Sequence, residues 1–366
     1  MSAERLAKVR AKLDDLKVDG LLVNRYEHRR WASGVTAHDA SPTATAGWLL
    51  VSPDRAVLIT SFLYYGQAVA EADGVEVTQF PLSQRLHEAG AEQVRALGIR
   101  RLGFEAPWLT FKTHADLAKE LDGAAELLPL EGLIEPLRAV KDADELARVR
   151  AAVAIADRAM EALFGELRPG MTEAEAAWFL EARMRTDGAE GMAFEPGVAA
   201  GPNSAIPHHK PGDRAIRAGE PIWIDIGAKA DGYCSDVTRT VLLGQPDDQY
   251  RRLWDEVLAA QRRALDFVRA GRTGKECDAV ARDYLTSVGL GEAFGHGLGH
   301  GVGLEIHEEP RLSRFAEQER LQPGMLVTIE PGAYIEGWGG VRHEELTVVR
   351  EGGLEVLTEA RRPLAL

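Results

Sequence analysis

The sequence predicts an α/β domain over residues 1–140 followed by an α+β domain over residues 141–366. Three observations carry this. A length of 366 residues suits about two domains. Helical and strand-like stretches alternate through the first third, as layered α/β structure requires. Composition then shifts across 133–144, where Pro136 punctuates the chain and Lys141-Asp-Ala-Asp-Glu opens a long charged helix; beyond Met192 strand patterns dominate.

Taken in order, Ala3–Leu16 has helical periodicity. Gly20–Val23, Gly47–Ser52 and Ala56–Thr60 read as strands, and Ser61–Ala72 as a helix with Ser61 at the N-cap. Val75–Phe80, Arg101–Phe104 and Ala125–Leu128 read as short strands, with helices at Gln84–Leu97 and Thr110–Leu121. The long helix reaches about Gly165, capped by Asp142 or Asp144. Thr172 with Glu175 makes a capping box for the next helix. Further helices are expected at Asp247–Ala270 and Gly274–Val288. No internal repeat stands out.

Composition narrows the function. Lys and Arg number 43 against 57 Asp and Glu, a net charge of -14, which argues against the basic face that nucleic-acid binding needs. Cys234 and Cys277 are too few for a disulfide framework, so a reducing, cytoplasmic setting is expected. The opening MSAERLAKVRAKLDDL is charged and amphipathic, unlike a signal peptide. No apolar run is long enough to span a membrane, and no glycine-rich phosphate loop is present.

The chemistry-bearing residues lie downstream. Asp225 sits inside the apolar strand Pro221-Ile-Trp-Ile-Asp-Ile-Gly227, where a lone carboxylate is costly unless paired or metal-bound. Ser235–Val241 reads as a second strand, joined through an Asp231-Gly232 turn, with Asp236, Thr238 and Thr240 on one face. Taken alone, these aspartates are accounted for by backbone contacts or by Arg239. A third strand, Met325–Gly332, ends in Glu330. A fourth follows Gly339, with Arg342 and Glu344 on one face and His343 and Glu345 on the other, so Glu344 is the inward acid and His343 a bystander.

Gly295–Pro310 changes the balance. Glycine at 295, 297, 299, 301 and 303 disfavours a helix and suits an extended segment whose bare face admits another backbone or a ligand. His296 and His300 share the opposite face, and His307 joins them only through a bend. One metal centre accounts for the acids and histidines together. One imidazole and four carboxylates suffice for two divalent ions, and so oxygen-rich a set favours manganese over zinc, with cobalt able to substitute. Cys234, Tyr334 and Trp338 are expected to pack.

Asp225 in DIG, Asp236 in SDVTRT, His300 in GHGVGLEIHE, Glu330 in IEPG and Glu344 in VRHEE resemble the five-ligand signature of the pita-bread metallopeptidases, which include methionine aminopeptidase, aminopeptidase P and prolidase. The N-terminal domain and its linker LRAVKDADELARVRAA resemble the proline-specific branch, aminopeptidase P and prolidase. The resemblance implies a creatinase/prolidase-type N-terminal domain and a pita-bread catalytic domain. It implies that Asp225 binds a first metal, that Asp236 and Glu344 bridge both, and that His300 and Glu330 bind the second. His208 matches a histidine near the scissile carbonyl, His307 one that stabilises the tetrahedral intermediate, and His296 one that lines the proline subsite. Arg311 matches an arginine that some prolidases place against the substrate carboxylate.

The implied reaction is hydrolysis of the bond preceding proline, in Xaa-Pro dipeptides or at the N-terminus of longer peptides, by a hydroxide held between the two metals. Glu330 serves as base and then acid, and His208 and His307 donate to the oxyanion. The resemblance also implies a homodimer. The chain departs from the family pattern at Glu345, where aspartate is usual, at His209, which competes with His208 for the substrate role, and at His343, where an apolar residue is usual. Two alternatives are a metal-free creatinase-type amidinohydrolase and a catalytically silent binding protein on the same fold. Both predict lost ligands, and none of the five is missing.

Overall fold

The alternation of short apolar runs with amphipathic helices in the first third builds one mixed sheet. A computed structural model describes residues 2–41, 43–318 and 320–366, and it divides into two units, Met1–Arg138 and Ala139–Leu366. The first unit runs α1 (Ser2–Leu13), β1 (Gly20–Val23), α2 (Tyr26–Ser33), β2 (Gly47–Val51), β3 (Ala56–Thr60), α3 (Phe62–Glu71), β4 (Glu76–Gln79), α4 (Leu86–Ala96), β5 (Arg101–Glu105), α5 (Phe111–Leu121) and β6 (Glu126–Leu130), and the division falls within α6 (Glu135–Ala139). The sheet order is β4-β3-β2-β1-β5-β6. Every residue of β1, β2 and β3 is buried, which is why these strands are unbroken apolar runs rather than alternating ones.

Two features differ from the sequence reading. Ser61 stands at the N-cap of α3, but its side chain makes no cap hydrogen bond. Helix α2 has no counterpart among the expected elements, because its buried face holds His28, Arg29 and Arg30, residues that read as a solvated surface. Burial of Arg29 and His28 is tolerated because each meets an acid. Arg29 pairs with Asp39 at 2.8 Å and donates to the carbonyls of Ala37 and Gly47. Glu105 accepts from the amides of Asn24 and Arg25 and pairs with the His28 ring.

The second unit repeats one plan twice. Helices α7 (Ala143–Glu166) and α8 (Glu173–Thr186) precede β7 (Gly191–Met192), β8 (Gly197–Ala200), β9 (Pro221–Ile226), β10 (Ala228–Ala230), β11 (Tyr233–Cys234) and β12 (Val237–Leu242). Helices α9 (Asp248–Phe267) and α10 (Gly274–Ser287) precede β13 (Gly299–Gly301), β14 (Glu308–Leu312), β15 (Leu326–Ile329), β16 (Gly332–Ile335), β17 (Gly339–Arg342), β18 (Glu345–Arg350) and β19 (Gly353–Val356). Each half supplies a three-stranded sheet, β12-β9-β8 and β15-β18-β19.

The repeat has a sequence trace too faint for hydrophobic patterning to expose. Leu167-Arg-Pro-Gly-Met-Thr-Glu-Ala-Glu175 and Val268-Arg-Ala-Gly-Arg-Thr-Gly-Lys-Glu276 share spacing. In both, the glycine adopts positive φ (Gly170 91°, Gly271 84°) and the threonine caps the next helix in a capping box with the glutamate. The glycine amides donate to Ile216 and Leu321 at matching places in the two halves. Only this short junction marks the repeat, through its arginine, glycine, threonine and glutamate, because the rest of each half is set by packing, which tolerates many apolar substitutions of similar volume.

Between β9 and β12 the chain inserts a hairpin, β10–β11, that joins β7 in a separate sheet. Asp231 and Gly232 form its turn with φ of 45° and 77°, the left-handed pair that a two-residue hairpin needs. Among the described residues, no helix is long and apolar enough to cross a membrane.

Candidate metal centre

Four backbone junctions bring the acids together. On β9, Asp225 lies opposite Thr238 of β12 and Gly197 of β8. Asp236 lies just before β12 rather than within it, so strand alternation does not aim it; the hairpin before it does. Between β17 and β18 the amide of Glu344 donates to Thr238 O at 3.1 Å, and Thr238 Oγ1 donates to Glu344 Oε2 at 2.8 Å. Glu330 follows β15, and its amide donates to Leu298 O, while His300 N donates to Thr328 Oγ1 at 3.0 Å.

The glycines of the histidine segment permit that approach. A Cβ on Gly299 would lie 2.0 Å from Thr328 O, and one on Gly301 would lie 2.1 Å from Glu309 O. A register shift between His300 and Gly301 then brings His307 back beside His300, with ring centroids 4.2 Å apart.

One cavity of about 370 Å³ results. His208, Asp225, Asp236, His296, His300, His307, Arg311, Glu330 and Glu344 all line it, with Phe194, Ile306 and Arg342 among the others. Ligand atoms of Asp236, His300 and Glu344 lie within 4.8 Å of one another. Glu330 Oε1 is 3.3 Å from His300 Nε2 and accepts from Thr328 Oγ1. Asp225 turns one oxygen to Arg342 at 2.6 Å, and its other oxygen is buried without a partner among the described residues.

The donor chemistry fits divalent cations. Burial, with the charges of Glu344, Asp225 and Glu330, holds the Asp236 carboxyl well above its usual range. Burial, with Glu330 and Asp225, does the same to Glu344. Burial pushes Glu330 up to about 7. His300 is pushed down to about 3, by burial and then by His307, so its Nε2 lone pair is free at neutral pH. Carboxylates crowded to this extent gain from a dication that neutralises them, and a neutral imidazole is the form that binds metal.

Several placements differ from the sequence reading. Arg239 does not meet the aspartates; it pairs with Glu345 at 3.0 Å, and Arg342 takes Asp225 instead. Tyr334 is more than packing, because its hydroxyl accepts from Arg342 Nη1 at 2.9 Å and lies 3.1 Å from His296 Nε2. Arg342 meets it across the β16–β17 hairpin, but His296 lies 38 positions away, so nothing local signals the role. His209 points away from the cavity, to Glu173. Cys234 is buried, with its thiol toward Leu304 O.

His343 is fully buried beside Trp254, with neither ring nitrogen partnered among the described residues. Burial holds its ring neutral, and an unmet buried polar group costs about 1–3 kcal/mol. His343→Phe is therefore expected to raise the thermal unfolding midpoint; a lower midpoint would mean that the imidazole is held by a partner.

Family models match both parts of the chain: the creatinase/prolidase N-terminal domain over residues 5–140 and metallopeptidase family M24 over residues 147–351. The chain belongs to metallopeptidase family M24. The Xaa-Pro dipeptidase of Pyrococcus furiosus is 35% identical over 361 residues, covering 99% of each chain. A solved Xaa-Pro dipeptidase from Bacillus anthracis is 40% identical with a TM-score of 0.93, covering 100% of both chains. The X-Pro aminopeptidase from Thermotoga maritima is 35% identical with a TM-score of 0.88, covering 97% of this chain and 100% of that one. The two-domain architecture of this M24 peptidase is thus the prolidase one, a creatinase-type α/β domain followed by a pita-bread domain.

Outside the cavity, each of its three histidine loops is held by a charged residue. Arg282 donates to the carbonyls of Phe294 and His296, and Asp278 accepts from Leu298 N. Lys141 pairs with Glu308, beside His307, at 2.6 Å. Glu173 holds the segment around His208. Sequence patterning misses all three clamps, because a charged residue in or beside a helix reads as solvated.

Proposed function

We propose that this peptidase is an Xaa-Pro dipeptidase that works with two divalent metal ions, manganese by preference. The observation that carries the reading is Arg311, which lines the same cavity as the four acids and four histidines. A guanidinium there supplies a counter-charge for the free carboxylate of a dipeptide, and the cavity is at the small end of the range for small-molecule sites. The dipeptidases among the relatives support it.

Asp225, Asp236, His300, Glu330 and Glu344 would hold the ions. When bound, these ions supply Lewis acidity and a water acidic enough to act as nucleophile near neutral pH. Glu330, buried against Thr328 and His300, takes up a proton and returns it to the leaving proline nitrogen. His307 is lowered by burial, so its neutral ring donates a hydrogen bond to the developing oxyanion, with His208 as second donor. Proline carries no N–H at the scissile bond, so His296, stacked edge-on to Phe294 at 5.0 Å, and the apolar wall of Phe194 and Ile306 select it by shape. The reading includes a homodimeric, cytoplasmic enzyme whose catalytic domain starts near residue 141.

The test compares an Xaa-Pro dipeptide with an Xaa-Pro-Xaa tripeptide, each with chelator and with added manganese. Cleavage of the dipeptide alone, lost on chelation and restored by manganese, is expected. Faster tripeptide cleavage would make the enzyme an aminopeptidase, and cleavage of neither would return it to a silent binding protein.

A further inference from the structure

The segment that carries His208 has no core of its own. From Ala205 to Ala215 no residue is buried, and Ile206 is half exposed. Polar bonds hold it: Arg342 donates to Pro207 O at 3.3 Å, and the two flanks of the stretch meet on one side chain. Glu173, the first residue of α8, is fully buried, and no arginine or lysine pairs with it among the described residues. Its Oε1 accepts from Ala200 N at 2.9 Å and Asn203 Nδ2 at 3.0 Å; its Oε2 accepts from His209 Nε2 at 2.9 Å and Gly212 N at 3.4 Å. The first amides of α8 complete the clamp, Glu173 N donating to Arg214 O and Ala174 N to Gly212 O.

We propose that Glu173 is a positioning residue that sets the reach of His208 into the metal-centre cavity, acting through Asn203 and His209. A carboxylate only accepts, so all four donors must face it, and together they fix both ends of the stretch between Ala200 and Gly212. His209 is turned outward to Glu173, and its neighbours Pro207 and His208 are thereby left lining the cavity. The positive end of the α8 dipole favours negative charge at this place. In the second half of the repeat the equivalent position is Gly274, where a Cβ would lie 2.0 Å from Arg311 O. There the backbone itself closes on the helix, and no carboxylate is needed. The inference rests on the reading of His208 as an oxyanion donor.

Glu173→Gln keeps the shape but turns one acceptor into a donor, which must face a donor from the clamped segment. In the manganese-loaded enzyme, kcat on an Xaa-Pro dipeptide is expected to fall by up to about 100-fold, the scale of a 1 Å misplacement. KM and bound metal should change little, since a donor used only in the transition state lowers kcat and kcat/KM together. The deciding measurement is a double-mutant cycle with His208→Ala: the double variant should be no slower than His208→Ala alone. Losses that multiply, or a Glu173→Gln enzyme with wild-type kcat, would overturn the positioning role while leaving His208 in place. A wild-type kcat for His208→Ala would remove the reading of His208 and the proposal with it. If Glu173→Gln does not fold, His209→Ala in the same cycle gives the same outcomes.

Discussion

Glu344→Gln is expected to lose bound metal and peptidase activity while making the metal-free protein more stable. Both effects follow from one crowded pocket. Glu344 is buried, it lies within ligand reach of Asp236 and His300, and Glu330 and Asp225 raise its carboxyl further. Without metal, the folded state holds protons on these acids that the unfolded chain releases near the ordinary carboxylate value, about 4.3 for glutamate. Groups raised in this way contribute stability that is fully present below that value. The contribution is lost as pH rises through the folded values, about 7 for Glu330. Metal-free enzyme should therefore melt progressively lower between about pH 4.5 and 7.

Glutamine at 344 removes one charge and keeps the acceptor for Thr238 Oγ1, so this slope should shrink. Each kcal/mol of relieved repulsion raises the midpoint by about 2–4 °C. Saturating manganese should flatten the slope in the wild type, because a dication replaces the protons. Metal analysis and melting curves at several pH values check all three points. Wild-type metal content and full activity in Glu344→Gln would remove Glu344 from the centre.

Glu330→Gln is expected to lower kcat by about 10²–10⁴-fold, the usual contribution of a general acid–base group, even at saturating manganese. The glutamine keeps an oxygen for a cation and an acceptor for Thr328 Oγ1, which now donates to Glu330 at 3.2 Å. It cannot take up a proton. Restoration to within tenfold of wild type by added manganese would reduce Glu330 to a ligand without a proton-transfer role. Comparing the two variants separates holding the metal from moving the proton.

Much of the fold is legible in the sequence because its signals are local. The buried strands of the first unit are unbroken apolar runs, and the cap of α8 is a short motif, Thr172 with Glu175. Helix α2 is not legible, because Arg29 is buried by the loop that follows the helix and His28 by Glu105, 77 positions on, and neither burial shows in the helix's own pattern. Within the site, an aspartate between two isoleucines and a histidine run spaced by glycines draw the eye to Asp225, His296 and His300 on local grounds, and only the family resemblance gives them separate roles. Nothing local announces that Tyr334 bridges Arg342 and His296, or that Glu173 faces Asn203 and His209.

The sequence by itself determined the two-domain class, the order of most elements and the acids and glycine-spaced histidines that line the cavity, whereas His208 and Arg311 came only from the family resemblance. It could do so because burial of a carboxylate in an apolar strand and bare glycine faces are properties of a few neighbouring residues. Tertiary structure decided the pairings: Arg342 rather than Arg239 for Asp225, Glu345 for Arg239, and Glu173 for the segment behind His208. Asp225 and Arg342 are 117 positions apart. A charged side chain accepts any partner of opposite sign, so register and packing between distant strands, not the local pattern, select which one it meets.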